Sequence, residues 1–196
     1  VSAKYIDYLK KENYNAKNLN LNSVRMITST GSPLSGESFK YVYKSIKKNV
    51  HLASIAGGTD LVGCLVLGNI YSNVYEGEIQ GQSLAIDIDI FDEKGKSVRN
   101  NTKGELVVKQ PFPSMPIKFW GDANGEKYQK AYFQKFKNIW HHGDYIERTP
   151  NNGFILSGRS DSTLNPGGVR IGTSEIYQQV ENIDFVLEGL VVGQEF

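Results

Sequence analysis

Hydrophobic and polar positions along the chain change their spacing at about residue 84. Before that point, residues 24–28 and 51–56 form short apolar runs typical of strands, and a short helix is predicted over residues 3–11. Between the two strands, Ser35 is a good N-cap for a helix whose apolar residues recur at helical spacing. Strand, helix and strand in this order predict a βαβ unit with parallel strands.

After residue 84 the pattern predicts short strands joined by glycine and proline turns. Residues 85–90 alternate apolar and acidic side chains, as in a half-exposed strand, and residues 104–109 form another apolar run. A helix with aromatic residues at helical spacing is predicted over residues 128–136, and the strand-like stretch 140–145 follows it. These elements predict a small antiparallel sheet or barrel beside the βαβ unit.

Composition excludes several classes of function. The chain has 196 residues, which is enough for one large or two small domains. Its 22 basic and 21 acidic residues give no charge excess that favours nucleic acid or a membrane surface. No apolar run reaches the length of a membrane span. Cys64 is the only cysteine, so no disulfide can form within the chain, and we expect a cytoplasmic protein.

Both ends of the sequence look cut. The chain starts at Val1 and ends at Phe196 in an apolar run without a cap or polar tail. We therefore expect an internal segment of a longer protein, whose true termini and targeting signals would lie elsewhere. The sequence leaves the oligomeric state open.

Asp144 and Arg159 are the most informative pair of charged residues. Strong turn chemistry over residues 149–153 predicts a hairpin that brings Asp144 back towards Arg159. A carboxylate that accepts two hydrogen bonds beside a guanidinium suits the cis-diol of a ribose. An ordinary salt bridge at the end of two strands fits the same spacing, and the residues alone leave both interpretations open.

A second candidate is the segment Gly57-Gly58-Thr59-Asp60, at the carboxyl end of a predicted strand. It offers a hydroxyl for a phosphate oxygen and a carboxylate for Mg²⁺, although a simple tight turn fits equally well. His141 and His142 would point to opposite faces of a strand, which disfavours a shared zinc ion. No nucleophile elbow or phosphate-loop signature supports a hydrolase or a kinase.

Five segments in order carry a family resemblance that covers residues 24–196. They are STGSPLS, GGTD, KGELVVKQPFPSMP, WHHGDY and SGRSDSTLNPGGVRIGTSEIY. With these segments the chain resembles the adenylate-forming acyl-CoA synthetases, and within them the branch that acts on acetoacetate. The resemblance implies an α/β fold in three parts. Residues 1–83 would be the end of a βαβ subdomain, residues 84–160 a small antiparallel β-barrel subdomain, and residues 161–196 a hinge and the start of a small α+β C-terminal domain.

The resemblance also implies site residues. Asp60 stands where the family has a Mg²⁺-associated glutamate, and Asp161 matches the hinge. Gly57 stands where acetyl-CoA synthetases have tryptophan, which predicts room for a longer acyl group such as acetoacetate. Thr59 and Arg170 would serve catalysis, and Gly167, Gly168 and Val169 would contact CoA. The implied nucleotide contacts are Gly31, Ser32, Pro33, Ser54, Ile55, Ala56, Gly57, Gly58, Thr59, Asp144, Arg159 and Arg170.

The implied reaction joins acetoacetate to CoA at the expense of ATP, through an acyl-adenylate, with AMP and diphosphate as products. ATP, CoA and Mg²⁺ are the expected cofactors, and small molecules are the only expected partners, without nucleic acid or membrane. The family's loop for the β- and γ-phosphates and its catalytic lysine have no counterpart in this sequence, so we expect the chain alone to be inactive. A ligase for propionate or butyrate, or a non-catalytic nucleotide-binding module, are the alternatives.

Overall fold

A computed structural model describes most of the chain, and its residues group into two compact units. The described residues are 1–161, 171, 173–180, 183, 185, 186 and 189–192. The first unit comprises Val1–Ser83 together with Thr149–Ile155, and the second comprises Leu84–Arg148 together with the described residues from Leu156 onward. The predicted separate domain over 161–196 stays a prediction, since much of it lies outside the described residues.

The first unit contains the predicted βαβ arrangement. Its elements are α1 (Ala3–Lys11), β1 (Met26–Ser29), α2 (Gly36–Tyr41), a π-helical turn (Val42–Ile46) and β2 (His51–Ser54). Strands β1 and β2 pair in parallel, with Met26 opposite His51 and Ser29 opposite Ser54. As predicted, Ser35 caps α2, since its Oγ accepts a hydrogen bond from the Ser38 N–H at 3.3 Å.

A second, antiparallel sheet completes the first unit. It contains β3 (Ala56–Gly58), β4 (Gly63–Leu67) and β5 (Gly81–Gln82) in the order β3-β4-β5. The single strand predicted over 51–56 is therefore wrong, because β2 ends at Ser54 and the chain enters another sheet at Ala56. The two glycines that suggested a loop form part of β3, and Gly57 allows β4 to approach closely.

The sheet of the second unit is antiparallel, as the sequence predicted. Strands β6 (Ile88–Phe91), β7 (Gly104–Val108), β8 (Trp140–Arg148) and β9 (Phe154–Arg159) lie in the order β6-β7-β8-β9, and the pairs β6–β7 and β7–β8 are antiparallel. Helix α3 (Glu126–Tyr132) precedes β8, and α4 (Thr173–Val180) follows β9. The strand predicted from residue 85 begins only at Ile88, because Ala85 has the left-handed φ of 62°.

An aromatic cluster fixes β8 against the segments that precede it. Trp140 is 2% exposed, and Tyr132 from the end of α3 stacks on its ring with 3.7 Å between centroids and 12° between planes. Phe112 and Phe133 meet the same indole edge-on. This packing holds the first residue of β8 in one orientation.

The predicted turn between β8 and β9 is present. The Thr149 N–H donates to the Gly153 carbonyl at 2.9 Å, and Thr149 Oγ1 accepts from the Gly153 N–H at 3.2 Å. Glu78 in the same unit accepts hydrogen bonds from Thr149 and Asn151. Among the described residues, no helix is both long and apolar enough to cross a membrane.

Candidate functional site

The first unit brings two of the predicted nucleotide-contacting segments to one edge of a sheet. Ser29 and Ser54 are buried partners at the carboxyl ends of β1 and β2, and the Ile55 N–H donates to the Ser29 carbonyl at 2.9 Å. The segments Gly31–Pro33 and Ser54–Ile55 therefore leave neighbouring strand ends. Ligands of open α/β sheets bind at such ends.

Thr59 and Asp60 are exposed in the connection between β3 and β4. The Val62 N–H closes this turn by donating to the Thr59 carbonyl at 3.3 Å. No group of three or more His, Cys, Asp and Glu side chains that could hold a metal occurs in the described part of the chain. Asp60 would supply a single carboxylate, which fits Mg²⁺ because this ion commonly takes one or two protein carboxylates together with substrate phosphates.

The structure shows a backbone requirement at Gly57, for which an acyl pocket was predicted. A Cβ atom at this position would lie 2.1 Å from the Gly63 carbonyl oxygen and 2.6 Å from the Cys64 Cα. The space where a side chain would start is occupied by the backbone of β4. The predicted acyl pocket beside this residue stays a prediction. Glycine is required here for close approach of two strands.

Asp144 and Arg159 lie together in the second unit, as the hairpin predicted. Arg159 Nη1 is 3.4 Å from Asp144 Oδ1 and donates to the His142 carbonyl at 3.0 Å. Asp144 is 6% exposed, whereas the Arg159 side chain is half exposed. Gly143 has a φ of 81°, and a Cβ there would come within 2.6 Å of Arg159 Nη2. The glycine thus lets the guanidinium lie directly over the backbone of β8.

Asp144 lies in surroundings where further hydrogen-bond donors would stabilise its carboxylate form. Burial raises its pKa above the ordinary value, and the nearby charge of Asp161 acts in the same direction. His142 and Arg159 oppose this shift. A buried carboxylate gains strongly from each additional donor, because no bulk water solvates it.

Sequence reasoning missed His142 as a partner of Asp144. Its ring Nε2 is 3.6 Å from Asp144 Oδ2, and its Nδ1 is 3.4 Å from the Trp140 indole nitrogen. The spacing in the sequence could have revealed this contact. Trp140, His142 and Asp144 are two residues apart, and every second residue of a regular strand lies on the same face. His141 contacts Glu105 at 2.9 Å instead. The predicted divergence of the two histidines is confirmed.

Glu105 is a second buried carboxylate that the sequence did not reveal. It lies in β7 at 1% exposure and contacts Lys135 and His141. Burial by itself raises the pKa of this side chain, but hydrogen bonds from His141, Lys135 and Ser160 outweigh burial and lower the pKa to about 2. The Glu105 carboxylate thus has several hydrogen-bond donors around it, which is typical of a structural ion cluster.

The remaining predicted residues divide into two groups. Asp161 is exposed, and its Oδ1 lies 3.5 Å from Arg159 Nε. The predicted CoA contacts Gly167, Gly168 and Val169, and the predicted catalytic Arg170, lie outside the described residues. Their roles stay predictions from the resemblance.

Comparisons with known proteins identify chains that this one resembles. No family model matches the chain. Acetoacetyl-coenzyme A synthetase from Rhizobium meliloti is 55% identical over the whole chain, and acetoacetyl-CoA synthetase from Mus musculus is 47% identical over 98% of it. The chain spans 30% and 29% of the lengths of these two relatives.

Solved structures agree with the curated relatives. An acetoacetyl-CoA synthetase from Streptomyces lividans superposes with a TM-score of 0.89 at 36% identity, covering the whole chain and 30% of that protein. An anthranilate CoA ligase, AuaEII, solved with anthranoyl-AMP, matches at a TM-score of 0.74 over 92% of the chain, and its 17% identity speaks for the fold alone. The chain is therefore similar to acetoacetyl-CoA synthetases over its whole length, and it spans about 30% of theirs.

Proposed function

We propose that this chain supplies nucleotide-binding residues to an AMP-forming ligase that joins acetoacetate to CoA. The names of the relatives support acetoacetyl-CoA as the product. ATP as the third substrate, and AMP and diphosphate as the other products, follow from the family resemblance. The choice of acetoacetate over propionate or butyrate rests on those names alone. The geometry at Gly57 gives it no support.

The buried Asp144 beside Arg159 is the observation that carries the proposal. A carboxylate can accept a hydrogen bond from each hydroxyl of a cis-diol, and Arg159 at 3.4 Å holds one of its oxygens in place. Because Asp144 is 6% exposed, these bonds would form away from bulk water and count for more than surface bonds. In this proposal Asp144 recognises the ribose of ATP and AMP.

The first unit contributes its own proposed contacts. The segments Gly31–Pro33 and Ser54–Thr59 would lie along the adenine and the α-phosphate, with the Thr59 hydroxyl donating to a phosphate oxygen. Asp60 would hold Mg²⁺, which when bound neutralises charge on the phosphates. Arg170 would approach the same phosphate, and Gly167–Val169 would contact CoA. All of these roles follow from the family resemblance.

The chemistry asked of these residues is positioning and charge stabilisation. An oxygen of the acyl carboxylate bonds to the α-phosphorus of ATP, and the bond from this phosphorus to the departing diphosphate breaks. Cationic and hydroxyl donors stabilise the charge that develops on the phosphate oxygens. No covalent nucleophile is needed from the chain. Cys64 fits this picture, since burial raises the pKa of its thiol and makes it a weak nucleophile. Its presence as the single cysteine also favours a cytoplasmic location, which we include in the proposal.

The test compares AMP with 2′,3′-dideoxy-AMP, which lacks the cis-diol, in calorimetric titrations of the 196-residue chain. We expect AMP to bind at least about tenfold more tightly, because two hydroxyl groups bond a buried carboxylate. Asp144→Asn removes the charge at nearly constant shape and is expected to reduce this ratio to about twofold or less.

The control is Asp87→Asn, which changes a carboxylate in the same unit whose described partner is Lys109. This variant should keep the ratio between AMP and 2′,3′-dideoxy-AMP. Equal affinity of the unchanged chain for both nucleotides, or an Asp144→Asn variant with an undiminished ratio, contradicts the proposed role of Asp144.

A further inference from the structure

Three buried residues on one face of β8 form a chain of polar contacts that ends at Asp144. Trp140, His142 and Asp144 are 2%, 6% and 6% exposed. The indole nitrogen of Trp140 lies 3.4 Å from His142 Nδ1, and His142 Nε2 lies 3.6 Å from Asp144 Oδ2. The two contacts place all three side chains on the same side of β8, although its pairing with β7 is irregular between His141 and Tyr145.

Trp140 determines which ring nitrogen of His142 carries the proton. An indole N–H can only donate, so His142 Nδ1 must accept from it. In a neutral imidazole the proton then resides on Nε2, the atom that faces Asp144. The stacked ring of Tyr132 and the edge-on ring of Phe112 hold the indole in place. The donor therefore cannot turn away without disrupting the aromatic cluster.

The two oxygens of Asp144 thus face two different nitrogens, one within hydrogen-bond distance at 3.4 Å and one just beyond it at 3.6 Å. Arg159 lies at Oδ1 and His142 at Oδ2. Rotation of the carboxylate about its last torsion would break the bond from Arg159 and move Oδ2 away from the imidazole, so both neighbours favour the same orientation.

We propose that His142 is a positioning residue, which is held in its Nε2–H tautomer by Trp140 and orients the Asp144 carboxylate to accept the ribose hydroxyls. This inference rests on the proposed function, since it assigns a task to His142 through Asp144. His142 itself touches no substrate in this account. The expected consequence is selective: His142 contributes to recognition of the diol and leaves the rest of the nucleotide unaffected.

The first test measures the tautomer directly in the unchanged 196-residue chain. Nitrogen-15 NMR distinguishes a protonated ring nitrogen from an accepting one, and the three histidines of the chain are assigned by replacing His51 and His141 one at a time with glutamine. We expect the His142 signal to report Nε2–H with Nδ1 as acceptor. An Nδ1–H tautomer overturns the inference. The test needs no substitution at His142, so it does not require that a His142 variant folds.

The second test uses the ratio of the affinities for AMP and 2′,3′-dideoxy-AMP. His142→Asn removes the atom that faces Asp144 and is expected to lower the ratio about three- to tenfold through weaker AMP binding, with 2′,3′-dideoxy-AMP little affected. His142→Gln places an amide N–H near the position of Nε2 and should restore most of the ratio. His141→Asn is the matched control, because the neighbouring histidine contacts Glu105 instead, and should leave the ratio unchanged.

The outcomes separate this inference from the proposed function. If His142→Asn weakens the binding of AMP and of 2′,3′-dideoxy-AMP equally, the residue has a purely structural role and the inference fails. If Asp144→Asn lowers the ratio while His142→Asn does not, the inference fails and the proposed function stands. If neither the unchanged chain nor any variant distinguishes the nucleotides, the proposed role of Asp144 fails and the inference fails with it.

Discussion

At the scale of single residues, two buried carboxylates of the second unit show how partners decide the behaviour of a charge. Glu105 has Lys135, His141 and Ser160 around it, and its pKa falls to about 2 despite burial. Asp144 has one guanidinium and one imidazole at longer range, and burial prevails, so its pKa is raised. Glu105 is therefore saturated with donors, whereas Asp144 gains from the donors that a ligand brings.

The low pKa of Glu105 predicts a specific loss of stability in acid. A carboxylate whose pKa is about 2 in the folded chain and near 4.5 when unfolded stabilises the fold above pH 4.5. That contribution disappears as the pH falls from 4.5 to about 2. We expect Glu105→Gln to lower the free energy of unfolding at pH 7 by about 1–3 kcal/mol, because Lys135 and His141 lose a charged partner. Urea denaturation of both chains across this pH range measures the difference.

The difference between the unchanged chain and Glu105→Gln should therefore shrink as the pH falls through this window. Glu147→Gln, in the neighbouring strand β8, serves as control and should track the unchanged chain at every pH. A difference that stays constant from pH 7 to pH 2 means that Glu105 does not titrate as its surroundings require.

At the scale of elements, the two short sheets of the first unit depend on close backbone contact. At Gly57 in β3, the position of a Cβ is already occupied by β4 atoms at 2.1 and 2.6 Å. At Gly81 in β5, by contrast, nothing lies within 4 Å of a Cβ. The two glycines belong to one sheet and differ in the room around them, which makes them a matched pair.

We expect Gly57→Ala to destabilise the chain by about 1–3 kcal/mol, since backbone atoms of β4 cannot move aside as a flexible side chain would. Gly81→Ala should change stability by less than about 0.5 kcal/mol or raise it slightly, because alanine restricts the unfolded chain. Thermal or urea unfolding measures the change in stability of each variant. Equal effects of both substitutions contradict the close approach of β3 and β4.

The same crowding changes what a larger substitution at Gly57 can report. Gly57→Trp would test the predicted acyl pocket, because the resemblance gives acetyl-CoA synthetases a tryptophan here and predicts a wider pocket with glycine. In this chain a tryptophan would first collide with the backbone of Gly63 and Cys64. A change in acid preference in such a variant would then reflect disrupted strand pairing as well as pocket size.

At the scale of the whole molecule, the chain spans about 30% of the length of its relatives. We expect the 196 residues alone to show no acetoacetate-dependent exchange of diphosphate into ATP. We expect exchange when this chain replaces the matching segment of the Rhizobium meliloti relative, because 55% identity preserves most packing at the boundaries. The exchange assay with labelled diphosphate measures both proteins.

A chimera that carries Asp144→Asn is the control for this experiment, and its apparent KM for ATP should rise about tenfold with acetoacetate binding little changed. Exchange by the 196-residue chain alone contradicts the expectation. A folded chimera that exchanges no diphosphate with acetoacetate counts against the proposed ligase function of this segment.

The sequence by itself determined the elements whose signals are local. Helical and strand spacing, the Ser35 cap and the turn over residues 149–153 predicted the βαβ unit and the hairpin that joins Asp144 to Arg159. The order of five motifs pointed to the family that the comparisons then supported. These features depend on residues close together in the chain, or on patterns that can be recognised without distances.

Only the tertiary structure decided the features that depend on atoms far apart in sequence. The break between β2 and β3 and the crowding at Gly57 arise from the approach of β4, and the low pKa of Glu105 arises from donors 30 or more residues away. The contact of His142 with Asp144 depended on the tertiary geometry of β8, although the spacing of the two residues was visible in the sequence. Periodicity assigns a face to each side chain, but the distance to a partner is fixed only when the strands pack.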